Sequence, residues 1–239
     1  MLRSIQTGIV REVIDLDTVS STNTFALDSG KVGLLVTASE QVAGKGRMGR
    51  SWFSPKGSNI YMTITVGGSD SRLPLVAGVA IHETVLSLTR GAVPVGIKWP
   101  NDILAGGKKI CGILCESRKI TAIGVGINVN QKYWPPDLEG RATSLSLVIG
   151  EDLDKQDVLE RSVINMDRWY SLFSEQGFGP VREAFLRYGR LRDHEITTEE
   201  GTPCRITDLD MQGHLLIDIS GSTRELVSGP IIVKPGKPS

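Results

Sequence analysis

The chain has 239 residues, with 27 Lys+Arg against 27 Asp+Glu. Hydrophobic residues at 40% and charged residues at 23% describe a globular protein rather than a disordered or membrane-spanning one. Zero formal net charge removes any global field for nucleic acid or anionic lipid, so an anion has to be held by a local cluster.

No run approaches about 18 consecutive apolar residues, and the start Met1-Leu-Arg-Ser-Ile-Gln6 lacks an apolar signal core. A cytoplasmic protein with no membrane partner is therefore expected. The three cysteines include no Cys-x-x-Cys pair, which argues against a zinc ribbon and a disulfide framework. Cys111 and Cys115, on a strand, share a face about 13 Å apart, too far to bridge.

In chain order, Gly8 to Asp15 alternates loosely and predicts an opening strand. Ser20-Ser21-Thr22-Asn23 offers several helix N-caps ahead of Thr24–Ser29, with Gly30 as the stop. Val32–Ala38 and Asn59–Val66 read as buried strands, the second rich in β-branched and aromatic residues. Leu75, Val79, Val85 and Leu88 fall at helical spacing and predict a helix over Pro74–Leu88. Strands are expected over Val95–Trp99, Lys109–Glu116 and Ile120–Val129, then amphipathic helices over Lys155–Phe173 and Pro180–Tyr188. After about Arg190 come short strand-like runs, Pro203–Leu209, His214–Ser220 and Arg224–Val233. Gly213, fourth in Asp210-Met-Gln-Gly213, suits a tight hairpin with a bulge. The expected class is α+β: a mixed domain over 1–190, then a small all-β barrel over 191–239 ending in a frayed tail, Pro235–Ser239.

Three segments carry candidate chemistry. Gly44-Lys-Gly-Arg-Met-Gly-Arg50 packs three cations and three glycines into seven residues, so backbone N–H groups and guanidinium groups can converge on phosphate or carboxylate. It matches G-x-G-x-x-G, yet it leads into a strand and not a helix, which removes the dinucleotide reading. No H-R-D or D-F-G motif accompanies it, and Asp102 stands where a Walker loop ahead of Gly107-Lys108 needs its first glycine. Lys98-Trp-Pro-Asn-Asp102 presents an amide and a carboxylate at a strand end, with Lys109 opening the next apolar strand. That set can meet a metal–phosphate group and neutralise transferred charge, although Asn-Asp ahead of Gly106-Gly107 is equally a turn sequence. Gly124-Val-Gly-Ile-Asn128 places glycines inside a strand, which marks either close approach of a ligand or a bulge. His82, His194 and His214 are the only histidines, and neither G-x-S-x-G nor H-E-x-x-H occurs. No enzyme nucleophile is visible. A reaction whose nucleophile belongs to the substrate needs none.

Taken in order, these segments resemble biotin protein ligases. The run comprises Ser21-Thr-Asn23, Gln41, Gly44-Lys-Gly-Arg-Met-Gly-Arg-Ser-Trp52, Ser54-Pro55-x-Gly57-x-Asn59, Lys98-Trp-Pro-Asn-Asp102, Lys109-x-x-Gly112-Ile-Leu-x-Glu116 and Gly124-Val-Gly-Ile-Asn128. The likeness covers nearly the whole chain. It implies the catalytic fold shared with class II aminoacyl-tRNA synthetases and a C-terminal SH3-like barrel, in a short form without a DNA-binding domain. It also implies the activity: biotin and ATP give biotinyl-5′-adenylate and pyrophosphate, and a lysine of a biotin carboxyl-carrier domain then takes the biotin. Both nucleophiles come from substrates, so the enzyme positions them and stabilises charge.

By the same resemblance, Ser21, Thr22, Asn23, Gln41, Lys45, Gly46, Gly112 and Gly124 surround biotin, with Trp52 as a wall. Lys109 and Arg47 meet both the biotin carboxylate and the α-phosphate, and with Asp102 form the catalytic set. Arg50, Asn101 and Asp102 face the triphosphate and Mg²⁺, with Asp102 as metal ligand, and Asn128 faces adenine. Trp99 packs in the core. Lys45 departs from the family's arginine, keeping the charge and losing bidentate geometry. A lipoate or octanoate ligase or transferase is the neighbouring alternative. A DNA-binding repressor is the distant one, disfavoured because only twenty residues precede Ser21 and the chain is neutral. No nucleic-acid partner is expected, and the resemblance allows a homodimer.

Overall fold

In the computed structural model, which describes residues 7–189, 196–197, 201–227 and 232–233, the chain opens with β1 (Glu12–Val19), α1 (Thr22–Ser29) and β2 (Leu34–Gln41). β1 and β2 pair in parallel, with α1 as the crossover. β3 (Ile60–Gly67) lies antiparallel to β2. Then follow α2 (Leu73–Thr89), β4 (Val95–Lys98), β5 (Asp102–Ala105), β6 (Lys108–Ser117) and β7 (Ile120–Ile127). The seven strands form one sheet in the order β1-β2-β3-β7-β6-β5-β4.

Alternation along each strand sends successive side chains to opposite faces. One face carries Leu35, Met62, Ile64, Ile103, Ile113, Ile123, Val125 and Ile127, all buried in a single core with α2. α2 is apolar and buried almost all round, with Pro74 in its first turn and Arg90 in the left-handed region at its end. α4 (Lys155–Gln176) and α5 (Gly179–Gly189) cover α2, turning Val158, Val163, Met166, Val181 and Phe185 inward. α1 sits on the other face, burying Ala26 against Leu34 and Val36 and Leu27 against Ile120 and Ala122. That face is only partly covered.

The chain ends in β8 (Ile196–Thr197), β9 (Pro203–Leu209), β10 (Leu215–Ile219), β11 (Ser222–Leu226) and β12 (Ile232–Val233), an antiparallel sheet ordered β11-β10-β9-β8-β12. Its β9–β10 turn rests on the first unit. Trp99, in the core as its motif implied, donates from Nε1 to the Gly213 carbonyl at 3.1 Å. Arg72 reaches the Met211 carbonyl at 3.3 Å, and Arg182 donates to the Leu209 carbonyl. The bulge expected of this hairpin lies between Leu216 and Ile217.

Several boundaries differ from the sequence expectation. β1 starts at Glu12 and not Gly8, because Thr7–Val10 closes a turn and Ile9 N–H donates to Asp167. The strand expected over Val95–Trp99 stops at Lys98 before a cis Trp99–Pro100 bond, and the chain returns at once as β5, which was missed. Gly106 and Gly107, both at positive φ, then join β5 to β6 in the two-residue hairpin that needs φ > 0 at each centre. α3 (Leu145–Ile149), capped by Ser144 Oγ on Leu147 N–H, was also missed. The run read as Arg224–Val233 is β11, beginning at Ser222, and β12. The 190/191 boundary, His194 and the tail Pro235–Ser239 lie outside the described residues.

His82 lies buried on α2, stacked on Tyr188 at 4.3 Å, with Nε2 facing the Val95 carbonyl. Burial pushes its pKa below the ordinary 6.5. Above that value both folded and unfolded states are neutral there. Below it the unfolded chain takes a proton that the native ring refuses, so this stability is lost as pH falls through the folded pKa. The urea midpoint should therefore drop between about pH 7 and pH 5.5, and His82→Phe should flatten that slope. An unchanged slope in the variant refutes the assignment.

Candidate active site

On the α1 face, strand register lines up residues in rows across the sheet. One row runs Ala38, Tyr61, Gly126, Gly112, Asp102, Lys98; the next runs Val36, Thr63, Gly124, Leu114. Along β7 the side chains on this face shrink from Ile120 and Ala122, under α1, to Gly124 and Gly126. The helix is packed at one end, and a hollow opens at the other.

Close contacts show why these positions are glycine. A Cβ at Gly124 would lie 2.2 Å from Asn23 Oδ1, and one at Gly126 would lie 2.5 Å from Trp52 Nε1. A Cβ at Gly112 would lie 2.8 Å from the Trp52 ring. Trp52, expected as a wall, thus lies flat on the glycine floor, with its buried Nε1 making no hydrogen bond. Polar groups line the end next to α1. Ser21 caps α1 geometrically without a side-chain cap bond; Thr22 and Asn23 lie in its first turn, and all three are buried. Thr22 N–H donates to Gln41 Oε1 at 2.9 Å.

The opposite end is cationic. The basic loop makes one 3₁₀ turn over Arg47–Gly49, with Met48 at φ 56° and Gly46 N–H donating to the Arg50 carbonyl at 2.7 Å. Lys45 Nζ turns back toward α1, meeting Thr24 Oγ1 at 2.9 Å, whereas Arg47 Nη1 meets Asn101 Oδ1 at 3.2 Å. Asn101 is fixed in turn by Nδ2 on the Ile113 carbonyl at 2.7 Å. Lys109 Nζ pairs with Asp102 Oδ1 at 2.7 Å and stands 5.1 Å from the Trp52 ring centre. Burial pushes the Lys98 ammonium below its ordinary value; Asp102 opposes this, while Lys109, Arg141 and Arg50 add to it.

The structure therefore brings Arg47, Asn101, Asp102, Lys109, Trp52 and Gly112 together, with Thr22, Asn23, Gln41 and Gly124 at the adjoining polar end. The Arg50 side chain is exposed. Asn128 is buried and donates to the Thr143 carbonyl at 2.9 Å, holding the segment that runs beside Lys109. Lys98, Arg141, Thr63 and Glu116 were not assigned from sequence. Lys98 and Glu116 stood inside quoted motifs, whereas Thr63 and Arg141 carried no local signal. Among the described residues, Asp102 belongs to no group of three or more His, Cys, Asp or Glu side chains close enough to share a metal ion, and its oxygen faces a lysine. These residues do not form a dedicated magnesium cage.

Residues 16–137 match the biotin/lipoate A/B protein ligase family. The chain is 32% identical to the bifunctional ligase/repressor BirA of Bacillus spizizenii, covering 92% of this chain and 74% of that one. It is 34% identical to the biotin–[acetyl-CoA-carboxylase] ligase of Paracoccus denitrificans, covering 70% of this chain and 75% of the relative. The biotin protein ligase of Aquifex aeolicus, solved with biotin and ATP, superposes with a TM-score of 0.84 at 28% identity, covering 95% of this chain and 100% of that one.

The floor gives a direct test. Gly124→Ala should destabilise the fold by about 1–3 kcal/mol through overpacking against Asn23. Gly67→Ala, whose Cβ would meet nothing within 4 Å, should not. Equal urea midpoints for the two variants contradict the close-contact reading.

Proposed function

The chain belongs to the biotin/lipoate A/B protein ligase family, and from that premise we propose that it activates biotin as biotinyl-5′-AMP and transfers it to a lysine of a carboxylase carrier domain. One observation carries the reading. A polar pocket at Thr22 and Gln41, an apolar floor of glycines with Trp52, and a cationic end at Arg47 and Lys109 follow one another along a single sheet face. Biotin has the same sequence of parts: a ureido head, a hydrocarbon chain and a carboxylate. Lipoate offers a dithiolane head, for which buried threonine and asparagine and half-buried glutamine are poor neighbours.

In the first step a biotin carboxylate oxygen bonds to the ATP α-phosphorus, the bond to the β-phosphate oxygen breaks, and pyrophosphate leaves. Lys109 and Arg47 neutralise the charge on the reacting oxygens; Asn101 aims the Arg47 guanidinium, and Asp102 holds Lys109. In the second step the carrier amine attacks the acyl carbon, AMP leaves, and the amine's proton goes to solvent. The half-buried cation Lys98 adds to the field in which both steps run, and Arg50 meets the leaving phosphates. Magnesium enters as part of the nucleotide substrate, on the Asp102 side. Ser21, Asn23, Lys45, Gly46, Gly112 and Gly124 enclose biotin, and Asn128 shapes the adenine side.

The reading further assigns 1–190 to catalysis and 191–239 to an SH3-like barrel, places the protein in the cytoplasm without a nucleic-acid partner, and allows a homodimer. Mass spectrometry of a carrier domain incubated with the chain, ATP, Mg²⁺ and either biotin or lipoate tests the substrate: modification should require biotin. Lys109→Ala should slow biotin-dependent pyrophosphate exchange about 10²–10³-fold. A loss under about threefold, with the fold intact by circular dichroism, removes Lys109 from this role.

A further inference from the structure

The second sheet holds a cluster of side chains that the proposed reaction does not use. Asp210 follows β9, His214 leads into β10, and Glu225 lies on β11. Leu215, Ile217 and Leu226 pack on the core, so alternation turns His214 and Leu216 to the other face of β10. Glu225 pairs with Leu216 and shares that face, one step diagonally from His214. The turn closes with Asp210 N–H donating to the His214 carbonyl at 2.9 Å, which brings the third side chain alongside. One ligand atom from each of the three lies within 4.8 Å of the others.

The two oxygens of Asp210 have different tasks. Oδ1 accepts from the backbone N–H groups of Gln212 at 2.9 Å and His214 at 2.8 Å, which pins the carboxylate to its own turn. Oδ2 is left facing His214 Nδ1 at 3.3 Å, and Glu225 Oε1 approaches the same nitrogen at 2.5 Å. Nδ1 is shut off from solvent, yet no hydrogen bond joins it to either oxygen. An ion pair built on a protonated ring would aim an Nδ1–H at one of them. Two carboxylate oxygens converging on a ring nitrogen with no proton aligned between them is the pattern of metal ligands.

We propose that Asp210, His214 and Glu225 bind a Zn²⁺ ion that ties the β9–β10 turn to β11. Zinc bonds of about 2.0–2.1 Å in a tetrahedron set ligand atoms about 3.3 Å apart, which is the Asp210–His214 separation. The Glu225 side chain, 51% exposed, is free to turn to the same distance, and water takes the fourth position. Calcium and magnesium call for six or more oxygens, and an imidazole is a poor member of such a set. The turn that carries Asp210 and His214 also offers the Met211 and Gly213 carbonyls to Arg72 and Trp99. The ion therefore braces the joint between the second sheet and the first unit. Nothing in this depends on which acid the active site takes.

Calorimetric titration of the full chain, stripped with a chelator and free of nucleotide, with a zinc salt tests it. One ion should bind per chain with a dissociation constant of about 10 µM or tighter, and the melting temperature should rise as it binds. Loss of an outer-shell partner alone costs about 10–100-fold in metal affinity, so His214→Ala should weaken binding at least about tenfold. Should that variant fail to fold, Glu225→Gln, at an exposed position, makes the same comparison. Asp218→Asn, which alters an acid of β10 outside the group, should leave the affinity unchanged. Cobalt in place of zinc should give visible d–d bands without a thiolate charge-transfer band. Failure to bind zinc below about 100 µM overturns the proposal, as does equal affinity in the parent, His214→Ala and Glu225→Gln. A thiolate band, marking a site at a cysteine, overturns it too.

Discussion

The steric closeness of three glycines to their neighbours is the constraint on which the site depends. Gly112, Gly124 and Gly126 leave the α1 face of β6 and β7 without side chains where the opposite face is filled with Ile113, Val125 and Ile127. One face is built for packing density and the other for access, on the same strands and in alternate residues. The packed face belongs to the main core with α2, so the floor of the hollow is part of the sheet itself.

Charge is arranged as economically as shape. Lys109 pairs with Asp102, and Asp102, Lys109, Arg141 and Arg50 all act on the half-buried Lys98, so cations outnumber carboxylates around it. Burial already opposes the charged form of Lys98, and a ligand bringing carboxylate and phosphate groups relieves that opposition. The polar end works differently: Thr22, Asn23 and Gln41 are held by hydrogen bonds within the protein, with Glu116 on the Asn23 amide.

Much of this was legible in the sequence because the chemistry sits in contiguous runs. Gly44–Arg50, Lys98–Asp102 and Gly124–Asn128 each bring their residues to one place through local turns and strands. The α+β order and the helices α2, α4 and α5 followed from apolar spacing. What was missed depends on pairing across the sheet. Thr63 looks like any β-branched residue in a buried strand, and only its register opposite Gly124 puts it beside Asn23. β5 is four residues long and sits between a proline turn and a glycine pair, too short for alternation to announce it. Trp52 was expected as a wall of the pocket from its place beside the basic loop, but its rotation onto the floor is decided by Gly112 and Gly126, far along the chain.

The seat of the second sheet has a consequence for divergence. Trp99, Arg72 and Arg182 hold the β9–β10 turn through the carbonyls of Gly213, Met211 and Leu209. Every amino acid carries that carbonyl, so the turn's side chains can drift without loosening the joint. Gly213 and Asp208 are the exceptions: the first has φ 87° and a Cβ there would lie only 2.7 Å from Leu75 Cδ1, and the second pairs its carboxylate with Arg182. The instructions for docking are therefore written in the first unit. The surface of the appended sheet is left free to acquire new partners while the hinge of its attachment stays the same.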